Sequence, residues 1–164
     1  MKASSELEGH PTLRPFMVLL RLAVAWVFLW AGFDKLVNGF DATGFLVNAT
    51  SGPLKDAWVW LGESETAVAI INPVVISTQL LMGVALFSGA GTRLALFGAA
   101  VMMFLFYLAQ FPPEHNPFLD YFVVYILVFA LLGALGAGRT VGLGSHLEQL
   151  EIVQKHRWLT YLLG

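Results

Sequence analysis

The chain has 164 residues, 57% of them hydrophobic and 12% charged, with a formal net charge of −2 and no cysteine. Its mean hydropathy of +0.72 lies far outside soluble usage and indicates a multi-span membrane protein built as one domain, residues 1–164. Near-balanced charge leaves no electrostatic footprint for nucleic acid, and the lack of cysteine excludes thiol–disulfide chemistry, thiolate metal sites and iron–sulfur ligation within this chain, so a redox role has to borrow its electron carrier.

Four apolar segments, each near the ~20 residues that a bilayer core requires, predict transmembrane helices over 15–36, 67–88, 92–111 and 118–138. The first is too long for the apolar region of a signal peptide and runs into Asp34-Lys35 rather than a cleavage site, so it is expected to stay. At 100° per residue Arg21, Ala25, Phe28, Gly32 and Lys35 share one stripe of it, with Trp26 and Trp30 on the other side. A buried arginine in a span has three readings. It snorkels to the near interface, it meets the side-chain oxygen of Gln79 on the second helix, or it holds a ligand such as a quinone carbonyl or an anion.

The segment from Val37 to Thr66 reads as a long first loop punctuated by glycine, with Trp58 and Trp60 suited to an interface belt; it is a candidate lid. Its Asn48-Ala49-Thr50 matches a glycosylation sequon, a tripeptide that recurs by chance, and the unmodified reading is preferred. The second helix carries a stripe of Asn72, Ile76, Gln79, Gly83 and Leu86; Ala95 with Ala99, and Gly133 with Ala137, add small-residue pairs to the third and fourth. These faces predict an all-α integral membrane four-helix bundle.

Between the last two spans, QFPPEHNPFLDY reads as a proline-stiffened connection in which Asn116-Pro117 starts a helix with Asp120 in its first turn. The same end of the bundle gathers Lys35, Asn72, Tyr107, Gln110, His115, Asn116, Asp120, Tyr121 and Tyr125. In the functional reading Lys35 attracts an anion and His115 or Asp120 exchanges the protons that accompany quinone reduction. In the structural one Asp120 is a helix-start charge, His115 a solvated loop residue, and the tyrosines are interface aromatics. No spacing suggests a metal site.

After the fourth span, a flexible GAGRTVGLG leads to an amphipathic helix over about 146–163, expected to lie on the membrane surface. Lys2, Arg14, Arg93, Arg139, Lys155 and Arg157 then fall on one side of the membrane. By the positive-inside rule both termini are cytoplasmic and the long first loop is external.

The pattern Arg21…Phe28…Gly32…Lys35-Leu36, followed by QLLMGVALFSGAGTRLALFGAAVMM and NPFLDYFVVYILVFALLGALGAGR, resembles the DoxX/DoxD-like membrane proteins from about Leu19 to Arg139. The resemblance to the DoxD-like branch implies a four-helix subunit of a thiosulfate:quinone oxidoreductase in the cell membrane, with quinone as electron acceptor and a small DoxA-type partner subunit. Where many relatives carry a glutamate in the second helix, this sequence reads Ser77-Thr78-Gln79-Leu80, which turns an ion pair with Arg21 into a charge–amide contact. Two rivals stand beside it. One is a noncatalytic accessory subunit of a respiratory or other redox complex; the other, a solute carrier, is disfavoured by the apolar middle at Met102, Met103, Phe104, Phe106 and Phe129.

Overall fold

A computed structural model describes residues 12–113, 116, 118–156, 160 and 163. Among them every regular element is helical. Three helices are long and apolar enough to cross a membrane: α1 (Leu13–Asn38), α4 (Glu65–Ser88) and α5 (Thr92–Ala109). The fourth expected span is the shorter apolar helix α6, Tyr121–Ala134. At 14 residues it covers about 21 Å, less than the ~30 Å hydrocarbon core.

Three boundaries have a local cause. Ser64 accepts a hydrogen bond from the Ala67 N–H (3.3 Å) and starts α4 ahead of the expected position. The backbone N–H of Gln110 closes α5 onto the Phe106 and Tyr107 carbonyls. Asp120 accepts from the Tyr121 N–H at 2.6 Å, so α6 begins there rather than at Asn116-Pro117.

Glycines set how α1 and α4 pack. A Cβ on Gly83 would lie 2.6 Å from Leu29 Cγ, and one on Gly32 would lie 2.8 Å from Leu80 Cγ. The two antiparallel backbones therefore approach where no side chain intervenes. Ala25, Phe28, Leu86, Ala99, Phe129 and Leu132 fill the core, and the Phe28 and Phe129 rings meet at 5.9 Å. Trp26 and Trp30 stand outside, stacked on each other and exposed. In α4 the Ser77 and Thr78 hydroxyls donate back to the carbonyls of Pro73 and Val74, each at 2.6 Å, which hides both polar groups within their own helix.

The expected long first loop is mostly ordered structure. It folds into α2 (Ala42–Asn48), a 3-10 turn (Gly52–Leu54) and α3 (Lys55–Glu63). This cover is pinned at two places besides its chain ends. Asn72 Oδ1 accepts the Ala42 N–H at 2.9 Å, and the Ser51 N–H reaches the Ala109 carbonyl at 2.8 Å. Gly52 (φ +72°) follows directly, pressed so closely to the end of α5 that a Cβ would sit 1.8 Å from the Phe111 carbonyl oxygen.

After α6 the chain turns at Gly136 into three short helices, α7 (Ala137–Thr140), α8 (Gly144–Leu147) and α9 (Glu151–Lys155). The single amphipathic helix expected over 146–163 is thus interrupted at 148–150. Glu148 is engaged by Arg139, whose Nε donates to its carboxylate at 2.8 Å. Trp158, Tyr161 and Leu162 lie outside the described residues.

Candidate functional site

Beneath the cover lies a cavity of about 560 Å³, within the size range of small-molecule sites. Phe40 and Trp58 come from the cover and its approach, Lys35 from the last turn of α1, Phe106 and Gln110 from α5, and Tyr121 and Phe122 from the start of α6. The wall is mostly apolar, and Lys35, Trp58, Gln110 and Tyr121 bring its polar groups. Lys35 gives one hydrogen bond, to the Ala31 carbonyl of its own helix (3.2 Å), and its ammonium sits 5.4 Å from the Phe40 ring centre. The indole N–H of Trp58 is shut off from solvent and has no partner among the described residues.

A second void of about 790 Å³ is a groove between α4 and α5, lined by residues such as Leu81, Ala85, Leu94, Phe97 and Val101. Thr78 is the only hydroxyl lining it, and that hydroxyl is already bonded within α4. Val74, Val75, Leu105 and Phe106 line both voids, so the groove and the cavity adjoin there.

Arg21 lies at the opposite end. It is 2% exposed, with Nη1 donating to the Ala137 carbonyl (2.7 Å) and Nη2 to the Val141 carbonyl. Neither snorkelling nor a contact with Gln79 occurs. The packing register explains the second point, because Gly32 facing Leu80 and Leu29 facing Gly83 put Arg21 level with the turn at Gly91 and Gln79 level with Phe33. That separation is about 18 Å of helix. Gln79 is buried, its Nε2 3.7 Å from Met102 Sδ and its Oε1 without a partner among the described residues.

The structure thus divides the residues that the sequence grouped. Lys35 and Gln110 line the cavity together. Asn72 is beside it, engaged in holding Ala42. Asp120 caps α6 next to the lining residue Tyr121. Tyr107 donates to the Phe118 carbonyl (3.3 Å), and Tyr125 packs on Phe129 with ring centres 5.9 Å apart; neither lines the cavity. His115 lies outside the described residues. Trp58 was not singled out by the sequence as a site residue. Two positions apart on a helix are about 200° apart, so Trp58 and Trp60 cannot both face the membrane interface. Trp60 is the exposed one, at 68%.

Among the described residues no three His, Cys, Asp or Glu side chains gather as a metal-ligand set. The DoxX family model matches residues 16–111, more than half of the chain. The chain belongs to the DoxX family. No curated protein and no solved structure matches it. With three helices able to span a bilayer, this DoxX protein is a multi-pass membrane protein. The matched stretch contains the whole α4/α5 groove, the cover, Lys35 and Gln110; Ala137 and Val141, which hold Arg21, lie beyond it.

Proposed function

We propose that this DoxX protein is the membrane subunit of a redox complex that passes electrons from thiosulfate, or a related reduced sulfur anion, to membrane quinone, the quinone ring lying in the cavity beneath the cover. One observation carries the reading: an apolar cavity of about 560 Å³ has Lys35, Gln110 and the unpartnered Trp58 indole in its wall. An uncharged ring with carbonyl acceptors suits that combination better than a strongly hydrated solute does. The charge distribution of the sequence supports an external cover and cytoplasmic termini.

In the balanced reaction two thiosulfates join through a new sulfur–sulfur bond as tetrathionate and release two electrons, which with two protons convert quinone to quinol. A chain without cysteine offers no thiolate for the sulfur step, so that step belongs to a partner subunit of the DoxA type. Lys35 polarises a quinone carbonyl and draws anions toward this end. Asp120, beside the lining residue Tyr121, and His115 are the candidates for proton exchange.

A second reading, a noncatalytic accessory subunit, draws support from Arg21. Its guanidinium is tied to backbone carbonyls within the chain, as internal glue. The test is quinone reduction by membranes containing the chain and its partner subunit, with and without thiosulfate. Turnover that needs thiosulfate and is lost in Lys35→Ala supports the redox subunit. Turnover indifferent to Lys35→Ala, or none at all, favours the accessory role.

A further inference from the structure

We infer that the cavity beneath the cover is entered from within the membrane, through the α4/α5 groove, and that this groove holds the isoprenoid tail of the quinone whose ring occupies the cavity. The inference rests on the quinone reading above and adds the route and the seat of the tail.

Space supplies the first argument. A cavity of about 560 Å³ accommodates a quinone ring and the first few tail carbons, but not a full-length isoprenoid tail. The rest of the tail needs an apolar outlet. The groove of about 790 Å³ adjoins the cavity at Val74, Val75, Leu105 and Phe106. It is the larger void, its wall is hydrocarbon apart from a self-satisfied threonine and the thioethers of Met82 and Met102, and it runs between two helices that can span the bilayer.

The other way in is fastened. The cover is tied to α4 by the Asn72–Ala42 hydrogen bond and to the end of α5 by the Ser51–Ala109 hydrogen bond, with Gly52 against Phe111. Opening it breaks these contacts and draws the apolar wall that Phe40, Phe45 and Trp58 supply away from the cavity. Entry past Val74 and Leu105, which line both voids, leaves the hydrogen bonds that pin the cover in place.

Polarity sets the orientation. The donors Lys35, Gln110 and Trp58 all belong to the cavity and none to the groove. An acceptor head therefore stays under the cover and an apolar tail outside it. A phospholipid fits poorly, because its two chains compete for one groove.

The experiment uses the full chain in lipid nanodiscs with a quinone whose tail carries a photoreactive diazirine, the adducts being mapped by mass spectrometry. A tailless benzoquinone competing for the site is the second probe. Labels on α4 and α5 along the groove are expected in the wild type. Val101→Trp fills the groove from a lipid-exposed position, and Val74→Trp blocks the junction. Each should weaken binding of the tailed quinone roughly tenfold or more, equivalent to about 1.4 kcal/mol, while Val101→Trp leaves tailless-quinone binding unchanged. Asn72→Ala, which loosens the cover, should not speed uptake.

Groove labelling that is equal in wild type and both tryptophan variants overturns the lateral route while leaving the quinone reading intact. Faster uptake in Asn72→Ala also overturns it, in favour of entry under the cover. No specific labelling of the wild type by tailed quinone, with no protection by tailless quinone, removes the quinone reading and the inference together.

Discussion

The two ends of this bundle treat their polar residues in opposite ways. At the Arg21 end the guanidinium donates to two backbone carbonyls, and the glycines around it leave no void: a Cβ on Gly144 would lie 2.7 Å from the Gly138 carbonyl oxygen, and one on Gly89 3.2 Å from Arg21 Nη1. At the cover end Lys35, Gln110 and Trp58 surround open space instead. A charge inside a membrane protein marks a functional site by default, yet here the more deeply buried charge is the one that donates to two of the chain's own carbonyls. What separates the two is open space: Arg21 donates to two backbone carbonyls in a closely packed region, its Nε without a partner among the described residues, whereas Lys35 gives one backbone hydrogen bond and borders the cavity.

The largest test of that contrast is Arg21→Ala. It removes two charge-assisted hydrogen bonds and leaves the Ala137 and Val141 carbonyls without their donor, at a cost of roughly 3 kcal/mol or more. The expected result is a marked fall in thermal stability and yield in detergent, with Arg21→Lys recovering only part of it, since an ammonium does not reproduce the forked contact. Quinone binding per folded molecule should survive. A stable Arg21→Ala protein that has lost quinone binding breaks the comparison and makes Arg21 a ligand contact.

Next in size is Gly52→Ala, which acts on the cover instead. The new methyl meets the Phe111 carbonyl oxygen at a residue whose φ of +72° also disfavours a side chain, and the combined cost is about 1–3 kcal/mol. Because the clash is local, the loss should appear as faster hydrogen exchange over residues 42–63, with α1 and α4 keeping their protection. Weaker quinone binding should accompany it. A global loss of protection instead means that the cover and the spans fold as one unit.

Lys35→Ala has a smaller effect on stability and a larger one on function. Its ring contact with Phe40 is worth about 0.5–1 kcal/mol, so melting should shift slightly while quinone reduction falls roughly tenfold. Lys35→Arg, which keeps the charge, should retain much of the activity. A loss of stability comparable to that of Arg21→Ala would make Lys35 another internal tie.

Periodicity explains which parts of this were readable in the sequence. In the first stripe Arg21, Ala25, Phe28 and Gly32 are buried and Lys35 half-buried, and in the second Gln79, Gly83 and Leu86 are buried and Asn72 and Ile76 half-buried, because each helix carries its own 3.6-residue record. Contact between helices has no such record. The partner of Arg21 is set by the depth at which Gly32 meets Leu80 and by a chain reversal at Gly136 more than a hundred residues away, neither of which is a property of one helix. The cover was hidden for a different reason: α2 and α3 have 7 and 9 residues, too short for a clear apolar repeat. Their order comes from tertiary pins at Asn72, Ala109 and Phe111. The cavity followed the cover out of sight, and with it the role of Trp58.

The smallest effect separates the cover from the spans by pH. The Asp41 carboxylate caps α2, accepting the Thr43 N–H at 2.9 Å, and the backbone bond together with the Thr43 side chain holds its pKa below the ordinary carboxylate value. A group whose folded pKa is depressed adds stability above its unfolded pKa and loses it as pH falls through the folded value. Acidification below the ordinary aspartate range should therefore loosen the start of α2, read as faster exchange at Thr43 and the following amides. Asp41→Asn, which keeps an acceptor without a titrating proton, should flatten that dependence while leaving neutral-pH protection nearly unchanged. The Arg21 end offers the control, because its ties run from a guanidinium to backbone carbonyls and nothing in those bonds titrates in this window. Acid loosening of α2 with steady protection at Ala137–Val141 would show that the cover has a local stability of its own. Equal loosening at both ends would mean that the Asp41 cap contributes only through the fold as a whole.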